Sequence, residues 1–301
     1  MTDTQQKPKL SVVIAAWNNV SSLRNCLASL EKQASGEKIE VFVISNYDGG
    51  SEEMKRQFPF TQFVRLREEA TVPELRAQGV LRSTGKIVAL LEDHCSFDEN
   101  WVAEIEKAHE LSYAAVGGAI ENGNHQKPID WAVYFYDYGK YMLPDRTRAV
   151  TTLSGANVSY KREVLEEVSH LYRKGFYENF VHDELQRRGH SLYLMPSAIV
   201  YHNKNYSTND ALTQAFHHAR AFAAKRILDA PPSRRVIFVM KSLALPILLP
   251  SRIAAGIFRK GRHRKELLKS LPYLLLLLTG WSYGEFCGYL FGEGSSAGKW
   301  K

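Results

Sequence analysis

Glu92, Asp93 and His94 stand in a row directly behind the uncharged run 87–91, IVALL. A continuous apolar run of this length reads as a strand buried on both faces. Side chains alternate in an extended segment, so Glu92 and His94 are expected on one side and Asp93 on the other. A divalent cation that carries a diphosphate needs only one or two protein ligands, because phosphate and water fill the other positions. The row therefore reads as a metal–diphosphate site, with a few solvated charges at a strand end as the plain alternative. Glu178 is the second candidate. It follows Gly175-Phe176-Tyr177, and a carboxylate among apolar groups is suited to general-base work. The alternative is a helix-start Glu favoured by the helix dipole. His202, after Val200-Tyr201, is the third.

The elements that must position these groups alternate along the first half. Residues 10–16 (LSVVIAA), 39–44 (IEVFVI), 63–66 and 87–91 read as strands. Leu23, Leu27 and Leu30 have helical spacing, residues 74–81 form a helix broken by Gly85, and Trp101, Ile105 and Ala108 mark another. Strand and helix in turn, with short connections, imply a parallel sheet covered on both sides. Ligands of such sheets lie outside the carboxyl ends of the strands, where Glu92-Asp93-His94 falls. In the second half, 115–120 (AVGGAI) reads as a strand and 122–150 as aromatic and irregular. A polar helix over 178–188 ends at Gly189. Short strands at 191–195 and 198–201 and a helix over 210–228 follow.

Composition narrows the class. The chain has 301 residues, 45% apolar and 24% charged, which excludes a disordered tail or a disulfide-stapled miniprotein. Cys26, Cys95 and Cys287 are scattered and odd in number. They predict a reducing compartment without a disulfide framework. The polar start, MTDTQQKPKL, predicts no signal peptide. The net charge of +7 is not a nucleic-acid signature, because it is concentrated in one region: residues 231–301 hold 12 Lys/Arg against three Glu, and the rest is slightly acidic. That basic tail is also the most apolar part. Residues 236–258 are apolar but interrupted by Lys241, Pro246, Pro250 and Arg252, and residues 271–292 carry only Glu285. Between them lies RKGRHRKELLK. Two spanning helices would put this basic loop across the membrane, against the preference of such loops for the cytoplasmic side. In-plane or re-entrant helices keep it on the cytoplasmic face against anionic lipid. A single span over 271–292 is the second reading. Gly280, Gly284, Gly288 and Gly292 form one stripe. It allows close helix approach, either to this chain's own helices or to a second copy in a homodimer.

Together these motifs resemble an inverting family 2 glycosyltransferase of the GT-A fold, over about residues 10–226. SVVIAAWNN resembles the opening strand and nucleotide loop. Arg76, Gly79 and Gly85 fall on the Arg-Asn-x-Gly helix and the glycine after it. Glu92-Asp93-His94 falls on the Asp-x-Asp metal motif. SGANVSYKRE resembles the acceptor-side segment, Glu178-Asn179 the Glu-Asp signature of the base, and the stretch from Arg220 to Arg226 the closing helix. The resemblance implies a Rossmann-like α/β domain with a mostly parallel sheet over 1–230, followed by a membrane-associating helical tail over 231–301. It implies donor contacts from Ala15, Ala16, Asn18, Ser45, Asn46, Arg76 and Asp93, metal ligation by Glu92 and His94 with His202 as a further ligand, and Glu178 as base with Asp183 in reserve. The partners implied are a nucleotide-sugar donor, a lipid-linked or glycan acceptor, the cytoplasmic membrane surface and no nucleic acid. The cofactor is Mn²⁺ or Mg²⁺, and a nitrogen ligand favours Mn²⁺. Ser45-Asn46-Tyr47-Asp48 departs from the family's acidic base-reading pair, which puts uridine in doubt. Two rivals are a nucleotidyltransferase on a similar sheet and a catalytically silent membrane adapter. The first calls for a Gly-rich basic loop after the opening strand, and AAWNNVSS has no Gly, Lys or Arg.

Overall fold

The computed structural model describes residues 7–17, 19–34, 39–228 and 230–299. These fall into two compact units, one within Met1–Glu121 and Tyr141–Asn203, the other within Asn122–Lys140 and Lys204–Lys301. The sequence reading divides the chain once, at 230.

The first unit is a nine-stranded sheet with helices. Its elements begin β1 (Leu10–Ala16), α1 (Val20–Ala34), β2 (Ile39–Ser45), α2 (Glu52–Gln57), β3 (Thr61–Arg65), α3 (Val72–Arg82) and β4 (Ile87–Glu92). Then come β5 (Cys95–Phe97), α4 (Trp101–His109) and β6 (Ala115–Asn122). After α5 (Pro128–Asp137), which belongs to the second unit, the first resumes with β7 (Arg148–Val150), β8 (Asn157–Lys161), α6 (Arg162–Glu167), α7 (Ser169–Tyr172), α8 (Glu178–Arg187) and β9 (Leu192–His202). The strand order is β3-β2-β1-β4-β8-β6-β9-β5, with β7 on β9. The first four strands are parallel. β8 reverses direction against β4, and β5 and β7 run antiparallel to β9.

Every residue of β1 is buried, as its unbroken apolar run requires. Val12, Val13 and Ile14 each contribute roughly 2 kcal/mol by leaving water. The core on one face gathers Val13, Ile44, Leu75, Leu90, Tyr160 and Phe176. Helix α3 starts at a capping box, in which the Thr71 backbone N–H donates to Glu74 Oε2 at 2.8 Å. The ladders set one edge in line: Ala15 lies opposite Glu92, and Ala16 opposite Ser45.

The two short strands expected around 191–201 are one strand, β9. Pro196 sits between the part that pairs with β7 and the part that pairs with β5, where a missing donor breaks neither of those ladders. The stretch 122–150, expected to be irregular, contains α5. Pro128 occupies its first turn, and Ile129 to Phe135 are all buried, which erases the amphipathic period.

The second unit is helical: α5, α9 (Thr208–Arg226), α10 (Pro232–Lys260) and α11 (Arg264–Phe291). The glycine stripe of α11 packs on α9. A Cβ at Gly284 would lie 2.3 Å from the Phe216 carbonyl oxygen, and one at Gly288 would lie 2.4 Å from that of Arg220. Of the two readings of the stripe, packing on this chain's own helix accounts for Gly280, Gly284 and Gly288, which corrects them as a dimer contact, while nothing lies within 4 Å of a Cβ at Gly292. Glu285 is also accounted for. It accepts from Trp281 Nε1 at 2.9 Å and from the Tyr289 hydroxyl at 2.8 Å, with Arg226 at 3.6 Å. Among the described residues, the helix long and apolar enough to cross a membrane is α10, not residues 271–292. Leu274, Leu277 and Leu278 of α11 are buried, whereas Val236, Met240, Leu243 and Ile247 of α10 form an exposed stripe, Ile247 at 75%. The tip of the α10–α11 hairpin is tied down, with the His263 ring 4.7 Å from Trp131 of α5.

Candidate active site

Strand β4 ends at Glu92, and Asp93-His94 form a turn before β5. The expected alternation is therefore corrected: the turn lets His94 reach both neighbours. Its Nε2 lies 3.0 Å from Glu92 Oε2 and its Nδ1 lies 3.1 Å from Asp93 Oδ1. Asp93 is buried and fixed to the end of β1. Its backbone N–H donates to the Ala15 carbonyl at 3.3 Å, and its carboxylate accepts from the Trp17 backbone N–H at 2.9 Å. The last residue of β9 supplies His202, buried, with its ring 4.6 Å from that of His94 at 87°. Strand β5 pairs Cys95 with His202, which holds the two segments together.

Arg76 of α3 closes the group. Its Nη2 donates to Glu92 Oε1 at 2.8 Å and its Nη1 to Glu178 Oε2 at 3.0 Å. Glu178 is the first residue of α8, and it is brought here because Val181, His182 and Leu185, at i+3, i+4 and i+7 from it, bury the same face of that helix. Burial alone would raise the Glu92 carboxyl, but His94, Arg76 and His202 outweigh it and hold the group well below the usual carboxylate range. Burial, with the charges of Glu92 and Asp93 adding to it, pushes the Cys95 thiol well up.

The donor set fits a divalent cation. Glu92, His94 and Cys95 each offer a ligand atom, all within 4.8 Å of one another. An ionised carboxylate suits Mn²⁺ or Mg²⁺, and the imidazole nitrogens tilt the preference toward Mn²⁺, which lies above Mg²⁺ in affinity for nitrogen. Cys95, a soft sulfur donor, is the poorest match to such an ion in the group.

Ala15, Ala16, Ser45, Arg76, Glu92, Asp93, His94, Glu178 and His202 thus share the carboxyl edge of the parallel strands or the helices facing it. Asn46, the next residue after β2, is buried. Its Nδ2 donates to the Glu68 carbonyl at 3.0 Å, and its Oδ1 has no hydrogen-bond partner among the described residues. Asp183 is exposed on α8, about 140° round the helix from Glu178. Asn18 lies outside the described residues.

Two positions escape the sequence reading. One is Tyr47, whose buried hydroxyl has no hydrogen-bond partner among the described residues and whose phenol is raised by burial and by the charge of Asp93. The signal was an aromatic where the family pattern has an acid. Gly155 is the other: a Cβ there would lie 2.7 Å from three guanidinium atoms of Arg76.

Residues 11–169 match the family model described as Glycosyl transferase family 2. Two curated relatives align over shorter stretches. The mouse Polypeptide N-acetylgalactosaminyltransferase 12 is 27% identical over 143 residues, 44% of this chain. Glycosyltransferase AglE of Haloferax volcanii is 29% identical over 126 residues, 39% of this chain. The matches span 24% and 41% of those proteins' own lengths. Among solved structures, the mannosyltransferase PcManGT from Pyrobaculum calidifontis, in complex with GDP-Man and Mn²⁺, has a TM-score of 0.56 at 14% identity. The alignment covers 91% of this chain and 86% of that one. It shows a shared fold, an α/β sheet of GT-A type followed by C-terminal helices. With over half its length matched by the family model, the chain belongs to glycosyl transferase family 2.

Proposed function

We propose that the protein moves a sugar from a nucleotide-sugar donor to a hydroxyl of a lipid-linked or polysaccharide acceptor, with inversion, at the cytoplasmic face of a membrane. The observation that carries the reading is one contiguous group, in which Glu92, His94 and His202 meet Arg76 and Glu178 at the carboxyl ends of the parallel strands. Glu92, His94 and His202 would hold Mn²⁺ in preference to Mg²⁺, and a bound ion would supply positive charge against the leaving nucleoside diphosphate. Ala15, Ala16, Asn18, Ser45, Asn46 and Asp93 seat the nucleoside. The Oδ1 of Asn46 is an acceptor suited to an N–H edge of the nucleobase. Glu178 takes the acceptor proton while the acceptor oxygen bonds to the anomeric carbon. The bond from that carbon to the diphosphate oxygen breaks, and the opposite-face attack inverts the centre. Asp183 is the reserve base.

Residues 231–301 serve as the membrane-associating region and 1–230 as the catalytic one. The exposed stripe on α10, next to Arg259, Lys260, Arg262 and Arg264, suits an in-plane helix on anionic lipid. The tie between His263 and Trp131 supports the peripheral or monotopic placement, since it keeps the hairpin tip against α5. The test is release of nucleoside diphosphate from a panel of nucleotide sugars by the purified full chain in detergent. Mn²⁺-dependent release from one donor class is expected. Binding without release from any donor would leave the silent adapter.

A further inference from the structure

Arg76 is 4% exposed, yet a guanidinium on an ordinary helix face would point to water. Its two terminal nitrogens are divided between carboxylates 86 residues apart in the chain, Glu92 on β4 and Glu178 on α8. The planar fork fixes the angle between its donors, so each carboxylate constrains the other's place. The third side of the fork is closed as well. The backbone at Gly155, in the SGAN segment before β8, lies so near that an added Cβ would stand 2.7 Å from Cζ, Nη1 and Nη2. One cation thus meets the metal carboxylate, the base and the segment that the family resemblance puts on the acceptor side.

We infer that Arg76 is a positioning residue which locks the base Glu178 in register with the metal carboxylate Glu92, rather than a contact to the donor. The inference rests on reading Glu178 as the base. Arg76 and Glu178 then act as one unit, and their losses do not add.

The experiment compares Arg76→Gln, Arg76→Lys, Glu178→Gln and the double variant Arg76→Gln/Glu178→Gln as full chains in detergent. Turnover uses the nucleotide sugar most active with the wild type. Mn²⁺ binding is followed by electron paramagnetic resonance with the metal alone. Arg76→Gln is expected to lower kcat about 10²-fold, the weight of a general base, while donor Kd and Mn²⁺ Kd stay within about threefold. The double variant should be no slower than Glu178→Gln. Arg76→Lys should not restore kcat, since a point charge lacks the fork. Gly155→Ala, which presses on the guanidinium without removing charge, should lower kcat in the same sense and serves if Arg76→Gln does not fold. Additive losses, recovery in Arg76→Lys, or loss of Mn²⁺ binding in Arg76→Gln would overturn the inference. A wild type inactive on every donor would instead overturn the transferase reading itself.

Discussion

Glu92 and Glu285 are both carboxylates near an arginine, but their surroundings differ in kind. Glu285 is served by its own helix: Trp281 and Tyr289, one turn to either side, donate to its two oxygens, and Arg226 stands nearby. That set contains no imidazole and no second carboxylate, and the group holds α11 to α9. Glu92 instead meets Arg76 of α3 and His202 of β9, besides His94 in the turn that follows it. Assembling two imidazoles and three carboxylates costs desolvation and gains little packing. The difference teaches that an acid–arginine contact is not diagnostic of a site. What counts is how many distant elements converge on it and whether the neighbours can do chemistry.

The comparison can be broken from either end. The largest effect is expected at the packing end. Gly284→Leu must drive α11 off the Phe216 carbonyl, and overpacking of this kind costs several times the typical ~1–3 kcal/mol because backbone is what is struck. Loss of the helical unit's cooperative melting would be read by calorimetry, and a native-like melt would contradict the assigned contact. Next comes the base. Glu178→Gln should lose turnover by at least ~10²-fold while the protein stays folded, whereas Asp183→Asn stays near wild type. The reverse pattern would exchange their roles. Glu285→Gln should do the opposite of Glu178→Gln, losing about 2 kcal/mol of stability as charge-assisted hydrogen bonds weaken, with turnover per folded molecule intact.

Taken per pH unit, the smallest effect is a pH dependence away from both. His109 is buried against Ser159, its Nε2 2.8 Å from the hydroxyl, and burial, with Lys161 adding, lowers its pKa to about 3. The unfolded imidazole takes up a proton near pH 6.5 and the folded one does not. Its contribution is therefore complete above about pH 6.5 and is lost as pH falls. The slope approaches ~1.4 kcal/mol per unit between pH 6 and 5, before carboxylates titrate. His109→Gln should flatten that slope in denaturant titrations, and an unchanged slope would exclude His109 as its source.

Much of this was legible in the sequence, for physical reasons that also mark the limits. Buried parallel strands are written as unbroken apolar runs, so β1, β2 and β4 and the edge at Glu92-Asp93-His94 could be read directly. Helix α5 could not, because Trp131, Ala132, Val133, Tyr134 and Phe135 are all buried and leave no stripe. The C-terminal helices misled in the same way. Run length favoured 271–292, but Leu274, Leu277 and Leu278 are taken up in packing, while the more interrupted α10 is left exposed. The contact of Arg76 with Glu178 joins residues 102 positions apart. No local pattern contains it.

The most direct measurement is a thermal-shift panel of nucleotide sugars on the full chain, with and without Mn²⁺, in the wild type and in His94→Ala. Only a ligand that binds the folded state raises the midpoint, by an amount that follows RT ln(1 + [L]/Kd). The wild type is predicted to rise with one class of nucleotide sugar when Mn²⁺ is present, and His94→Ala to keep its starting midpoint but lose that rise. An equal Mn²⁺-dependent rise in His94→Ala, or no rise with any nucleotide sugar, would contradict the metal–diphosphate site on which the whole reading stands.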